Sequence, residues 1–169
     1  MYGKISVNVI EELKKISGDK NIIVDKDLMT DYSHDELSLS ELWNLPEVVV
    51  KPANEAEISE ILKIANREKI PVVPKGGGTG LCGGSIPTLG GIVISLENMQ
   101  KVLEIDEDNL MAVVEAGVTL KDFYGAIESR NLYFPPHPGE ESADIGGLIA
   151  TNAGGARAIK GFSQNKFDF

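Results

Sequence analysis

Residues 71–85 read P-V-V-P-K-G-G-G-T-G-L-C-G-G-S, an apolar approach followed by glycine at six of the nine positions 76–84. Glycine lacks a Cβ, so a run of it lets several backbone N–H groups aim into one concavity, which suits a phosphate or pyrophosphate. Spacing separates the phosphate loops that this run could form. A P-loop, G-x-x-x-x-G-K-[ST], places its lysine after the last glycine. Here Lys75 precedes the glycines and neither Lys-Ser nor Lys-Thr follows, which excludes that loop. Gly78, Thr79, Gly80, Leu81, Cys82 and Gly83 do spell G-x-G-x-x-G. That spacing signifies a dinucleotide fold only where a helix opens at the loop, because the helix N-terminus carries the pyrophosphate. The G-S-I-P-T-L-G-G that follows cannot continue as a helix, so the match is read as accidental. What remains is a glycine loop that leads through an extended segment into a new strand and holds an anion by backbone dipoles alone. The competing reading is a plain turn between strands, which needs only about two to five residues and fewer glycines.

A second stretch, 145–155, reads I-G-G-L-I-A-T-N-A-G-G. Its two Gly-Gly pairs mark either close approach of the backbone to a ligand or two tight turns around a buried strand. Other reactive residue types are less informative. Cys82 lies in the glycine loop, yet no His with Asn or Asp can be assigned to activate it, so it is expected as a small filler. His34 and Asp35 adjoin one another in Tyr32-Ser33-His34-Asp35 and are expected in a structural or solvated role rather than as a catalytic pair. The run Asp106-Glu107-Asp108 lacks calcium-loop spacing and is expected to be a solvated turn.

The elements that must carry these segments follow from hydrophobic periodicity. From Ser6, the positions Val9, Ile10, Leu13 and Ile16 recur at helical spacing up to Gly18. Residues 22–45 are expected to be irregular or short-helical, with Trp43 as a core anchor. Glu47, Val48, Val49 and Val50 form a short buried strand. Asn54, with Glu57 three residues on, caps a helix whose apolar stripe is Ile58, Ile61, Leu62 and Ala65. Residues 70–74 make a second strand that delivers the glycine loop, and 91–96 a third, giving a βαβ-type unit with a parallel pair at its centre. Beyond Met99, residues 102–105 and 110–116 read as an antiparallel hairpin. Thr119 with Asp122 then caps a helix bearing Leu120, Phe123, Tyr124 and Ile127, before Pro135, Pro136 and Pro138 hold the chain extended.

The chain has 169 residues, 42% of them apolar, enough for a core, and a net charge of −10 at pH 7. No cluster of Lys and Arg offsets that excess, which argues against nucleic-acid or anionic-membrane partners and leaves an anionic ligand to be held by local backbone dipoles. The first fifteen residues break their apolar positions with charges, so they predict neither a signal peptide nor a membrane span. A cytoplasmic location is expected, and the single cysteine fits it.

Pro74, Lys75, Gly76, Gly77, Gly78, Thr79, Gly80, Gly83 and Gly84 together resemble the pyrophosphate loop of the FAD-linked oxidases of the vanillyl-alcohol oxidase (PCMH-type) fold. The likeness runs to the FAD subunit of glycolate oxidase and to the D-2-hydroxyacid (D-lactate) dehydrogenases. A Tyr-Ser-x-Asp similar to residues 32–35 precedes the flavin domain in that family. A segment similar to 145–155, with Thr-Asn-Ala-Gly-Gly, lines its flavin and pyrophosphate. The resemblance implies that Ile145, Gly146, Gly147, Thr151, Asn152 and Gly154 contact FAD, that Pro138 lies against the isoalloxazine ring, and that the two glycine segments come together around the diphosphate. Some members of the wider fold attach flavin through histidine. Nothing local activates His137, so a non-covalent role is expected there. Arg157 and Lys160 are expected either to balance the diphosphate or to be solvated.

The fold so implied is α+β: an incomplete PCMH-type FAD-binding domain, with a small βαβ subdomain of parallel strands and the start of a second, antiparallel subdomain with helices. Residues 1–45 would form a helical lead, 46–100 the first subdomain and 101–169 the beginning of the second. The implied activity of the complete enzyme is FAD-dependent oxidation of a small D-2-hydroxy acid, of the glycolate or lactate type, to the 2-oxo acid; no catalytic base can be nominated and no metal is expected. The likeness covers residues 32–160, and the chain ends at Phe169. The expectation is therefore an N-terminal portion. The alternatives are a truncated, non-catalytic polypeptide that assembles with itself or a partner subunit through an uncovered sheet, and a flavin reductase of related fold.

Overall fold

Ser6 begins the first element: its hydroxyl accepts from the Val9 N–H at 3.3 Å and caps helix α1 (Val7–Ser17), which buries Val9 and Leu13 and stops at Gly18, φ +83°. The computed structural model describes residues 2–155, so Arg157 and Lys160 lie outside the described residues. The chain divides between Asn98 and Met99 into two compact units.

In the first unit, β1 (Ile22–Ile23) and four short 3-10 turns precede β2 (Val48–Val50). Asn54 caps α2 (Glu55–Glu68): its Oδ1 accepts from the Glu57 N–H at 3.0 Å, while the Glu57 carboxylate reaches back to the Ala53 N–H at 3.0 Å. The buried stripe of α2 is Ile61, Ile64 and Ala65, with Leu62 exposed, so Ile64 takes the place expected for Leu62. Strands β3 (Val72–Lys75) and β4 (Ile92–Ser95) complete a sheet in the order β1-β2-β4-β3. β4 is parallel to both β2 and β3, and β1 is antiparallel to β2.

The expected parallel pair is thus a parallel triplet, with the last strand inserted at its centre. Burial explains the order. All four residues of β4 are buried, which suits a central strand, whereas β3 is partly exposed and contains Pro74, which has no N–H to give to a second neighbour. The core joins α1, α2 and the sheet through Leu13, Val48, Val50, Ile61 and Ile92. Trp43, expected in the core, is 46% exposed and stacks on the His34 ring at 4.5 Å instead.

In the second unit, β5 (Val102–Asp106) and β6 (Met111–Val114) form the antiparallel hairpin. Asp106 closes its tip by accepting from the backbone and side chain of Asn109, and those bonds hold its carboxyl below the ordinary range. Thr119 caps α3 (Leu120–Glu128) by accepting from the Asp122 N–H at 3.1 Å, and Leu120, Phe123, Tyr124 and Ile127 are buried. The proline segment is irregular and packs Phe134 edge-on against Phe123 at 5.1 Å. The stretch around Gly146 and Gly147 is a short helix, α4 (Ile145–Ala150), where the sequence suggested only close backbone approach or turns around a strand. Val118, Leu120, Ile145 and Leu148 share the core of this unit.

Candidate functional site

β3 and β4 are parallel neighbours, so the chain leaving β3 at Lys75 must cross back before β4 can start. Residues 76–91 are that crossover, and no helix forms within it. The loop therefore departs from the C-terminal end of a parallel strand, where ligands of open α/β sheets gather. Gly78 and Gly83 hold φ values of +71° and +74°, which a side chain would strain.

The loop's hydrogen bonding is one-sided. Among the described residues, no backbone N–H from 76 to 85 donates to an acceptor in the chain. Backbone donors in folded proteins are nearly always paired with protein, water or ligand. A row of unpaired N–H groups on a glycine-rich bend forms a concavity for an anion.

The loop has a seat that the sequence did not assign to it. Segment 34–37 runs along residues 78–83. The Lys75 ammonium donates to the His34 carbonyl. The Glu36 N–H donates to the Gly80 carbonyl at 3.0 Å. A methyl group added at Gly80 would lie 3.7 Å from Asp35 Oδ2, and one at Gly83 would lie 3.3 Å from Leu37 Cδ2. Further along, Asn44 Nδ2 donates to the Pro87 carbonyl at 3.0 Å. The Tyr-Ser-x-Asp string was the only signal for this seat, because a segment without periodicity gives no pairing clue.

Two charged side chains are buried there. Lys75 is 7% exposed and Asp35 4%. Burial pushes the Lys75 amine down, opposed by the negative charges of Asp35 and Asp31. Asp35 Oδ1 accepts from the Leu37 N–H at 3.0 Å, while Oδ2 is buried without a hydrogen-bond partner. Lys75 Nζ lies so close under the bend that a methyl on Gly78 would meet it at 2.8 Å. The loop thus presents backbone donors, a buried cation beneath them and the unpaired Thr79 hydroxyl, a donor set that fits a diphosphate.

Nearby, Tyr32 donates to Glu97 Oε1 at 2.6 Å, Ser95 to the same oxygen at 2.8 Å, and Lys51 to Oε2 at 2.6 Å. Burial would raise the Glu97 carboxyl, yet these bonds hold it below its ordinary range. This network ties the lead segment to the strand ends.

In the second unit, the glycines of 145–155 separate into two kinds. A Cβ on Gly146 would stand 2.8 Å from both Cβ and O of Ala116, and one on Gly155 would overlap the His137 backbone. Gly147 and Gly154 face open space, with nothing within 4 Å of an added Cβ. Packing within the chain thus accounts for Gly146 and leaves Gly147 and Gly154 free to meet a ligand. The Thr151 hydroxyl is engaged with the Gly147 carbonyl at 2.9 Å, and Asn152 is exposed at φ +50°. Ile145 is buried in the core, and Pro138 is exposed. The Tyr124 hydroxyl donates to the Pro136 carbonyl at 2.7 Å, so its 2.9 Å contact with His137 Nδ1 requires that nitrogen to be the donor. The Cys82 thiol is free and exposed. Among the described residues, no helix is long and apolar enough to cross a membrane.

Residues 46–165 match the FAD binding domain family. The chain is 58% identical over 113 residues to a D-lactate dehydrogenase of Archaeoglobus fulgidus, covering 67% of this chain and 25% of that protein. It is 41% identical over 157 residues to the glycolate oxidase subunit GlcD of Bacillus subtilis, covering 92% of this chain and 33% of that protein. The chain thus spans a third or less of the length of these relatives. Among solved structures, p-cresol methylhydroxylase superposes with a TM-score of 0.76 at 23% identity, over 86% of this chain and 29% of that one, which shows a shared fold. The mixed α+β architecture, the matched span and these relatives agree. The chain belongs to the FAD binding domain family, with FAD as its cofactor, and is related in sequence to D-lactate dehydrogenase and a glycolate oxidase subunit.

Proposed function

We propose that this chain is the nucleotide-binding portion of an enzyme that oxidises a small D-2-hydroxy acid to its 2-oxo acid. The observation that carries the reading is the row of unpaired N–H groups at 76–85, backed by a buried lysine, on a loop within the matched family span. Gly76, Gly77, Gly78, Thr79, Gly80, Gly83 and Gly84 hold the diphosphate through the backbone, with Pro74 and Lys75 fixing where the loop leaves the sheet. Gly147, Asn152 and Gly154 are the flavin contacts best supported in the second segment, because their surroundings are open or exposed. Gly146, Ile145 and Thr151 shape that segment from within, and Pro138 offers an exposed apolar face for the ring system.

Bound FAD supplies the two-electron oxidation, and the protein supplies orientation and electrostatics. With a net charge of −10, the chain attracts an anionic nucleotide only through such local donors, so binding weakens little with salt. A cytosolic setting fits the free, exposed thiol. Titrating the chain with FAD and following flavin fluorescence tests the reading. Saturable one-to-one binding is expected, and no binding at millimolar FAD contradicts it.

A second reading is favoured by the hairpin of the second unit, where Leu103, Leu110, Met111 and Val113 are all exposed. Such a surface suits assembly with another subunit. Sedimentation of the chain decides: a concentration-independent monomer removes it.

A further inference from the structure

Asp35 is a buried carboxylate that the binding role described above does not use. It comes from the lead segment, sits beneath Gly80 and leaves Oδ2 without a partner at 4% exposure. Lys75 comes from the end of β3, sits beneath Gly78 at 7% exposure and has one hydrogen-bond acceptor, the His34 carbonyl. The two side chains thus lie under positions of the glycine loop only two residues apart. They form no contact ion pair, so they act on each other through space in a desolvated region where charges are felt strongly.

A buried carboxylate beside an anion site is unfavourable unless it serves a cation. An isolated buried lysine sheds its proton, and a nearby carboxylate opposes that loss. We propose that Asp35 is a positioning residue of the flavin-nucleotide site: its carboxylate keeps the Lys75 ammonium charged beneath the glycine loop, so that the loop carries a fixed positive charge where a diphosphate docks. The proposal rests on the FAD-binding reading for the identity of the anion and on this chain's own packing for the coupling. The groups that act on Lys75 are Asp35 and, more weakly, Asp31, and His34 contributes its carbonyl. Asp35 also shapes the seat through the Leu37 N–H, a bond that asparagine can keep. Charge and shape can therefore be separated.

The test uses the full chain as Asp35→Asn, Lys75→Met and the double variant. Without flavin, the titration of Lys75 is followed by NMR of its side-chain carbon next to nitrogen. Asp35→Asn is expected to lower the Lys75 pKa by about one unit or more, and an unchanged titration overturns the proposal. With flavin, Asp35→Asn is expected to weaken FAD binding on the order of tenfold, and in the Lys75→Met background the same change should have no effect or improve binding. Equal losses in both backgrounds overturn the proposal, because they mark Asp35 as a shape-former only. Should Asp35→Asn fail to fold, the double variant is expected to fold, since it buries no unbalanced cation; a double variant that also fails to fold overturns the proposal. If the wild-type chain binds no FAD, the FAD reading falls, while the flavin-free titration still decides the coupling of Asp35 and Lys75.

Discussion

Gly146 and Gly147 are neighbours in α4, and replacing each by alanine is expected to change stability in opposite directions. A methyl on Gly146 would lie 2.8 Å from both Cβ and O of Ala116 and 3.2 Å from its Cα, about 0.6 Å inside the 3.4 Å at which ordinary contact begins. The helix cannot retreat freely, because the Gly146 N–H donates to the Ala116 carbonyl at 2.9 Å and the Ile145 N–H to Val118 at 2.8 Å. Overpacking of this kind costs about 1–3 kcal/mol. A methyl on Gly147 meets nothing within 4 Å, so relief of glycine's backbone entropy is expected to stabilise the flavin-free chain by about 0.5–1 kcal/mol. Urea unfolding of the two variants without flavin, followed by circular dichroism, measures the difference, expected at about 1.5–4 kcal/mol. Equal effects, or a neutral Gly146→Ala, would refute the division of this segment into packed and open glycines. With FAD present the order of interest reverses: Gly147→Ala should weaken binding more than its stability suggests.

Asn54→Ala removes the cap of α2 and is expected to cost about 1 kcal/mol by urea unfolding, with FAD affinity unchanged. Glu97 titrates below its ordinary range in the folded chain, so its contribution is present above the usual carboxylate range and is lost as pH falls through the lowered value. Its side chain is 48% exposed, which limits that contribution to about 1 kcal/mol, and Glu97→Gln should cost this at pH 7 and progressively less as pH falls below the ordinary carboxylate range. Cys82 is exposed within the loop, so a thiol reagent should label it promptly, and saturating FAD should slow labelling at least several-fold.

Local chemistry was readable wherever one residue type has one use. Ser6, Asn54 and Thr119 offered side-chain oxygens just ahead of helical periodicity, and each accepts from a backbone N–H of its helix's first turn. The failure of a helix to follow Gly83 was readable too, because Pro87 and the glycines around it forbid one. Pairing was not readable. Nothing in residues 92–95 says that they insert between β2 and β3 rather than beside one of them, since periodicity encodes burial and not neighbours. Helix α4 was missed because two glycines lower its intrinsic propensity, whereas close packing of Gly146 on Ala116 rewards it. Trp43 was misplaced because it stacks on the half-buried His34 ring and stays 46% exposed instead of entering the core. The seat formed by residues 34–37 uses carbonyls, an amide and a carboxylate with one unpartnered oxygen, none of which leaves a repeating pattern.

Amide hydrogen exchange at residues 76–85, with and without FAD, tests the central claim most directly. These N–H groups have no acceptor in the chain, so without flavin they should exchange close to unprotected rates. Addition of FAD should slow several of them by an order of magnitude or more, with the largest changes between Gly76 and Gly84. Saturation with FAD that leaves the exchange of this loop unaltered would contradict the account.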